Sequence, residues 1–76
     1  SEVHSSRGRC DALVETPDHV YALEFKLDKS ASEALKQIQD KGYLEPYADS
    51  PRQKIAVGIN FSSTERRIVE WEAVEF

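Results

Sequence analysis

Paired cysteines are missing from this 76-residue chain: it has one, Cys10, so no internal disulfide can form. Small secreted domains usually depend on such pairs, so a reducing, cytoplasmic setting is expected. Long apolar runs are missing too. None approaches the roughly 20 residues needed to cross a bilayer, which argues against a membrane span. There are three glycines and three prolines, no internal repeat and no low-complexity tract, which excludes collagen-like and solenoid architectures. Basic residues are outnumbered 10 to 14, for a net charge of −4, which is mild evidence against a wide nucleic-acid grip. No basic-then-apolar leader opens the sequence, which starts at Ser1 without a methionine. We read residues 1–76 as a single domain, a trimmed C-terminal part of something longer. A domain of this size buries only about 60% of its unfolded surface and is marginally stable alone.

What is present is alternation. Arg9 to Glu15 places Cys10, Ala12 and Val14 on one side and Arg9, Asp11, Leu13 and Glu15 on the other. Val20 to Leu27 divides into Tyr21, Leu23, Phe25, Leu27 and Val20, Ala22, Glu24, Lys26. Both segments read as strands. Thr16-Pro17-Asp18-His19 is a turn; Pro17 cannot take the positive φ of a type I′ hairpin, so a loop built on a type I turn is expected. Ser30-Ala31-Ser32-Glu33 forms a capping box, Ala31, Ala34, Leu35 and Ile38 make a helical stripe, and Gly42 supplies the stop. Tyr43 to Ala48 adds a short helical turn. Lys54 to Phe61 and Arg67 to Phe76 are two further strands, and the small residues Ala56 and Gly58 imply close packing on one face of the third. The order is β-β-α-β-β, an α/β fold with one mixed sheet packed on a helix. The larger apolar side of the hairpin, from Cys10 to Leu27, is expected to be core, with Trp71 as a core anchor.

The chemistry follows from register. If Glu15 pairs with Val20 across the turn, Asp11 stands opposite Glu24. Loops of two and of four residues both give this pairing, whereas three would send the two side chains to opposite faces. Opposed Cβ atoms lie about 4.5–5.5 Å apart, so two carboxylates there repel unless a positive charge lies between them. Lys26 follows on the same face, with Arg9 opposite it. Paired carboxylates on a rigid hairpin suit a hard divalent cation, Mg²⁺ or Mn²⁺, which would polarise a phosphate oxygen and activate a water. On spacing alone a solvated cross-strand salt bridge explains the same residues.

Gly8-Arg9-Cys10-Asp11, a turn, then Glu24-Phe25-Lys26 resembles the signature of the PD-(D/E)xK, restriction-endonuclease-like nucleases, here without the proline before the aspartate. The wider string (Arg7-Gly8-Arg9, Glu15-Thr16-Pro17-Asp18, Glu24 to Asp28, Gln37-Ile38, Lys41-Gly42-Tyr43) looks like the branch found C-terminal to bacterial AAA-ATPase-like domains. The resemblance implies a metal-dependent nuclease acting on nucleic acid, DNA first. Asp11 and Glu24 would bind Mg²⁺ with the main-chain carbonyl of Phe25, and Lys26 would serve the nucleophilic water. Gln37 would point into the site. Arg7 and Arg9 would meet phosphate, and Glu2 would match an upstream acidic position. The superfamily core begins with a helix and strand that have no counterpart of full length here. A truncated core can self-associate through a strand edge, giving a homodimer. The alternative is an inactive nuclease-fold module that regulates its own attached ATPase domain. His4 and His19 have no partner at ligand spacing, Cys10 reads as buried core rather than nucleophile, and Ser62-Ser63 has no base nearby.

Overall fold

The computed structural model describes residues 10–76, so the positions of Glu2, His4, Arg7 and Arg9 lie outside the described residues. Among the described residues, four strands form one mixed sheet in the order β1-β2-β3-β4. They are β1 (Ala12–Glu15), β2 (His19–Leu27), β3 (Gln53–Ser62) and β4 (Arg67–Glu75). The helix α1 (Ala31–Lys41) and a short 3₁₀ turn (Glu45–Tyr47) connect β2 to β3. This is the expected β-β-α-β-β order. Strand β1 pairs antiparallel with β2, β2 runs parallel to β3 across the helical crossover, and β3 pairs antiparallel with β4. No helix among the described residues is long and apolar enough to span a membrane.

The hairpin turn has the parity that the site requires. The Thr16 N–H donates to the His19 carbonyl at 2.9 Å, and the Thr16 hydroxyl accepts from the His19 N–H at 2.9 Å. Threonine thus replaces one backbone bond of the turn with a side-chain bond. Glu15 pairs with Val20, Leu13 with Ala22 and Ala12 with Leu23, as the alternation predicts.

The helix begins where its capping residue says. Ser30 has extended backbone, and its hydroxyl accepts from the Glu33 N–H at 3.1 Å. At the other end Gly42 takes a left-handed conformation (φ 64°), with Gly42 N–H donating to Gln39 and Tyr43 N–H to Ile38. This reversal satisfies carbonyls that the last turn leaves open. Ala31, Ala34, Leu35 and Ile38 are buried against the sheet.

The helix lies very close to β3. A Cβ built on Gly58 would fall 2.4 Å from the Ala31 carbonyl oxygen and 3.0 Å from Ala34 Cβ, so only glycine fits. The small residues of this strand face are therefore a groove for the helix backbone. The core consists of Cys10, Val20, Ala22, Leu35, Ile38, Tyr43, Leu44 and Ala56, between helix and sheet.

That location corrects the expected core face. The side carrying Tyr21, Leu23, Phe25 and Leu27 is not the core: Phe25 is 39% exposed and Leu27 60%. Trp71 is not a core anchor either, at 65% exposed. Size and hydrophobicity pointed to the wrong side because the helix needs close approach, which small residues allow and bulky ones prevent. The bulky side of the sheet, continued by Phe61 and Trp71, is open among the described residues, although Ile59 between them is buried. Cys10, by contrast, is buried as expected.

Candidate active site

Asp11 lies one residue before β1, at the point where the hairpin register would place it opposite Glu24. Its Oδ2 accepts the Phe25 N–H at 2.8 Å, so the carboxylate is tied to the neighbouring strand. Glu24 is 5% exposed, on the face of β2 that α1 covers. Its Oε2 accepts from the Gln37 Nε2 at 2.9 Å. Its Oε1 is buried with no hydrogen-bond partner. An orphaned carboxylate oxygen is costly, and native structures rarely leave one without a reason.

Electrostatics at this pair run the same way. Burial pushes the Glu24 carboxyl up to about 7, with the charge of Asp11 adding to the rise and that of Lys26 opposing it. The fold has thus brought two acids together in a place that disfavours charging both.

Lys26 shares the face of Glu24 and donates its Nζ to Gln37 Oε1 at 2.5 Å. Gln37 projects from the middle of α1, and one amide spans the lysine and the glutamate. Its orientation is fixed by chemistry: a flipped amide would set two donors against each other at Lys26 and two acceptors at Glu24. An open cleft of about 300 Å³ starts here, lined by Lys26, Gln37, Glu33, Lys36, Asp40 and Lys41.

The described structure therefore brings together Asp11, Glu24, Phe25, Lys26 and Gln37, five of the residues singled out in the sequence. Arg7 and Arg9 lie outside the described residues. No cluster of three or more His, Cys, Asp or Glu suited to a metal occurs among the described residues; the acids that the hairpin brings together are Asp11 and Glu24. Its fit to a cation rests on the donor set: two hard carboxylates, one with a buried oxygen that no protein group satisfies. His19 stacks on Tyr21, 5.5 Å between ring centroids, a structural contact. Burial pushes the Cys10 thiol up, and its Sγ–H donates to the Ala12 carbonyl at 3.1 Å; this is not an activated nucleophile.

Sequence reasoning assigned no role to three side chains around the site. The Tyr43 hydroxyl lies 3.2 Å from Gln37 Nε2. Glu70 Oε1 accepts the Ala31 N–H at 2.9 Å, and Asn60 Oδ1 accepts the Lys29 N–H at 2.9 Å, so β3 and β4 both hold the start of α1. For Tyr43 a signal existed, since a glycine stop turns the next residue back over the helix. For Glu70 and Asn60 there was none, because their role depends on tertiary pairing.

A mixed sheet with an aspartate and a Glu-x-Lys on one hairpin, under a helix that supplies a glutamine, defines a nuclease-like α/β fold. The chain belongs to the PD-(D/E)XK nuclease superfamily, matching it over residues 1–71. Members of that superfamily typically use divalent metals and act on nucleic acid. The chain is also 37% identical over 67 residues to the "Uncharacterized protein in vnfD 5'region" of Azotobacter chroococcum mcd 1, covering 86% of this chain and 13% of that protein. The chain thus spans a small part of that relative's length. No solved structure matches it significantly.

Proposed function

We propose that this domain hydrolyses nucleic-acid phosphodiester bonds with the help of a divalent cation, Mg²⁺ or Mn²⁺. The observation that carries this reading is the buried, unpartnered Oε1 of Glu24 beside Asp11, with the Gln37 amide linking Glu24 to the Lys26 ammonium. Asp11 and Glu24 are the metal ligands in this reading. Phe25 adds its main-chain carbonyl: N–H and C=O of one strand residue face the same edge, and the Phe25 N–H faces Asp11. When bound, the cation supplies Lewis-acid polarisation of a phosphate oxygen and acidifies a water.

The chain's own residues do the rest. Lys26 orients the attacking water and stabilises charge developing on the phosphate. Gln37 holds Lys26 in place and keeps Glu24 turned into the site. Water forms the new O–P bond, the leaving oxygen takes the electrons of the broken one, and the proton goes to solvent. Arg7 and Arg9 contact flanking phosphates. The substrate in this reading is DNA. Residues 1–76 are then one nuclease-like domain of a longer protein whose other part is an AAA-type ATPase, as the resemblance of its motifs to that branch supports. Among the described residues β4 is an edge strand with its side chains exposed, which supports pairing with a second copy.

The test is calorimetry with Mn²⁺ and a cleavage assay on the full-length protein, wild type and Asp11→Ala. Binding and cleavage in the wild type, both lost in the variant, are expected. Equal cleavage by the two, or none by the intact wild type, overturns the reading. In the second reading the domain is inactive and regulates an attached ATPase. The open apolar side of the sheet, with Phe25, Leu27, Phe61 and Trp71 exposed, favours it. It predicts that Glu24→Ala leaves the biological function intact.

A further inference from the structure

The Gly42 reversal puts a hydroxyl at the site. After the left-handed Gly42, the Tyr43 N–H donates to the Ile38 carbonyl at 3.3 Å, which folds the tyrosine back beneath the last helical turn. Tyr43 is 8% exposed and belongs to the core, and its hydroxyl oxygen is 3.2 Å from Gln37 Nε2. The Gln37 amide is then fully engaged: its oxygen takes Lys26, and its nitrogen serves both Glu24 and Tyr43. Lys26 and Glu24 fix which end of the amide is which, so the Tyr43 hydroxyl accepts here rather than donates.

We infer that Tyr43 is a positioning residue of the nuclease site, acting through Gln37, whose amide links the Lys26 ammonium to Glu24. The inference rests on the proposed nuclease reading and adds a residue to it. Without the hydroxyl, one amide N–H of Gln37 loses its acceptor in a partly buried place. The amide relieves this by turning toward the open cleft, and Lys26 and Glu24 lose their common clamp. Such outer partners typically change metal affinity or activity by about 10–100-fold.

The competing account is that Tyr43 only packs. Tyr43→Phe in the full-length protein separates the two, because it keeps the ring and deletes one oxygen. The expected result is a roughly 10-fold fall in kcat with KM little changed, and a weaker Mn²⁺ affinity by calorimetry. The side-chain amide resonances of Gln37 should also shift toward those of a free amide. In a Gln37→Ala background the same change should add nothing to the loss in kcat, since the link is already cut. If Tyr43→Phe costs the same stability in both backgrounds and leaves kcat, Mn²⁺ affinity and the Gln37 resonances unchanged, Tyr43 is only packing and the inference fails. If the wild type neither binds Mn²⁺ nor cleaves, the nuclease reading fails instead. The Gln37 resonances still report whether Tyr43 positions the amide.

Discussion

Asp11 and Glu24 meet across the β1–β2 hairpin in an arrangement that satisfies one acid and strands the other. Asp11 has the Phe25 N–H, whereas Glu24 keeps one oxygen buried and unbonded. Such a pair costs stability unless it has another purpose. Glu24→Gln keeps an acceptor for Gln37 and offers Asp11 a donor in place of a repelling charge. At pH 8 without metal, this variant should be more stable than wild type by about 1–3 kcal/mol, the scale of relieving an unsatisfied buried group. It should also lose its heat of Mn²⁺ binding. Urea unfolding and calorimetry on the same sample check both halves. A less stable variant would show that the charged pair is favourable as it stands.

The same pair sets a pH dependence. Glu24 titrates near 7 in the fold and near 4.5 as an ordinary glutamate. Between those values the folded chain holds a proton that the unfolded chain has released. Stability contributed by that proton is complete below about pH 4.5 and is lost as pH rises through about 7. The metal-free domain should therefore weaken between pH 5 and 8 in a way that Glu24→Gln does not. Adding Mn²⁺ should reverse the trend, since a cation is bound by the deprotonated form. Urea midpoints at about four pH values, with and without Mn²⁺, give the comparison.

What the sequence made legible was parity and capping; what it hid was which side of the sheet the helix covers. The Asp11–Glu24 register depends only on an even loop, and any turn built on Thr16 and His19 preserves it. The helix start at Ser30 and stop at Gly42 are local chemistry, readable within a few residues. The core face is a contest between two apolar sides, and nothing local decides it. Phe25, Leu27 and Trp71 look more like core than Ala22, Ala56 and Gly58, yet a helix backbone can seat only on the small ones. Gln37 was legible through resemblance alone. Its place between Lys26 and Glu24 requires the crossover that lays α1 on β2.

Gly58 tests that close seat. A methyl group there meets the Ala31 carbonyl at 2.4 Å, and that atom is backbone, so the helix itself must move. Gly58→Ala should destabilise the domain by about 1–3 kcal/mol, the range for overpacking. Because Gln37 rides on the same helix, the variant should also lose cleavage beyond what its folded fraction explains. Unfolding curves set beside rates corrected for the folded population make the distinction. An unaffected rate would mean that the helix start can yield without moving Gln37.

Ser30 gives a control in which stability changes without the site. Its hydroxyl caps the helix through the Glu33 N–H and touches none of Asp11, Glu24, Lys26 or Gln37. Ser30→Ala should cost about 1 kcal/mol, as lost caps do, with Mn²⁺ affinity unchanged. A variant that lost metal affinity with its cap would show that helix fraying, not side-chain chemistry, governs the site.

Lys26 carries the sharpest division between charge and packing. Its stem runs along the helix-covered face and its ammonium ends on Gln37 Oε1. Lys26→Met keeps the length of the stem and removes the charge and the donors. Cleavage should fall by roughly 10²–10³-fold, the scale for deleting one electrostatic contact to a developing negative charge. The loss should lie in kcat rather than KM if the ammonium acts mainly in the transition state. Metal affinity should change little, because the ammonium bonds Gln37 rather than the acidic pair. Lys26→Arg should recover only part of the rate, since a planar guanidinium does not reproduce a point charge in the same hydrogen bond. Steady-state kinetics on the three proteins, with Mn²⁺ titrations alongside, separate these outcomes. Full activity in Lys26→Met would remove Lys26 from the reaction and leave it a spacer between Glu24 and the helix.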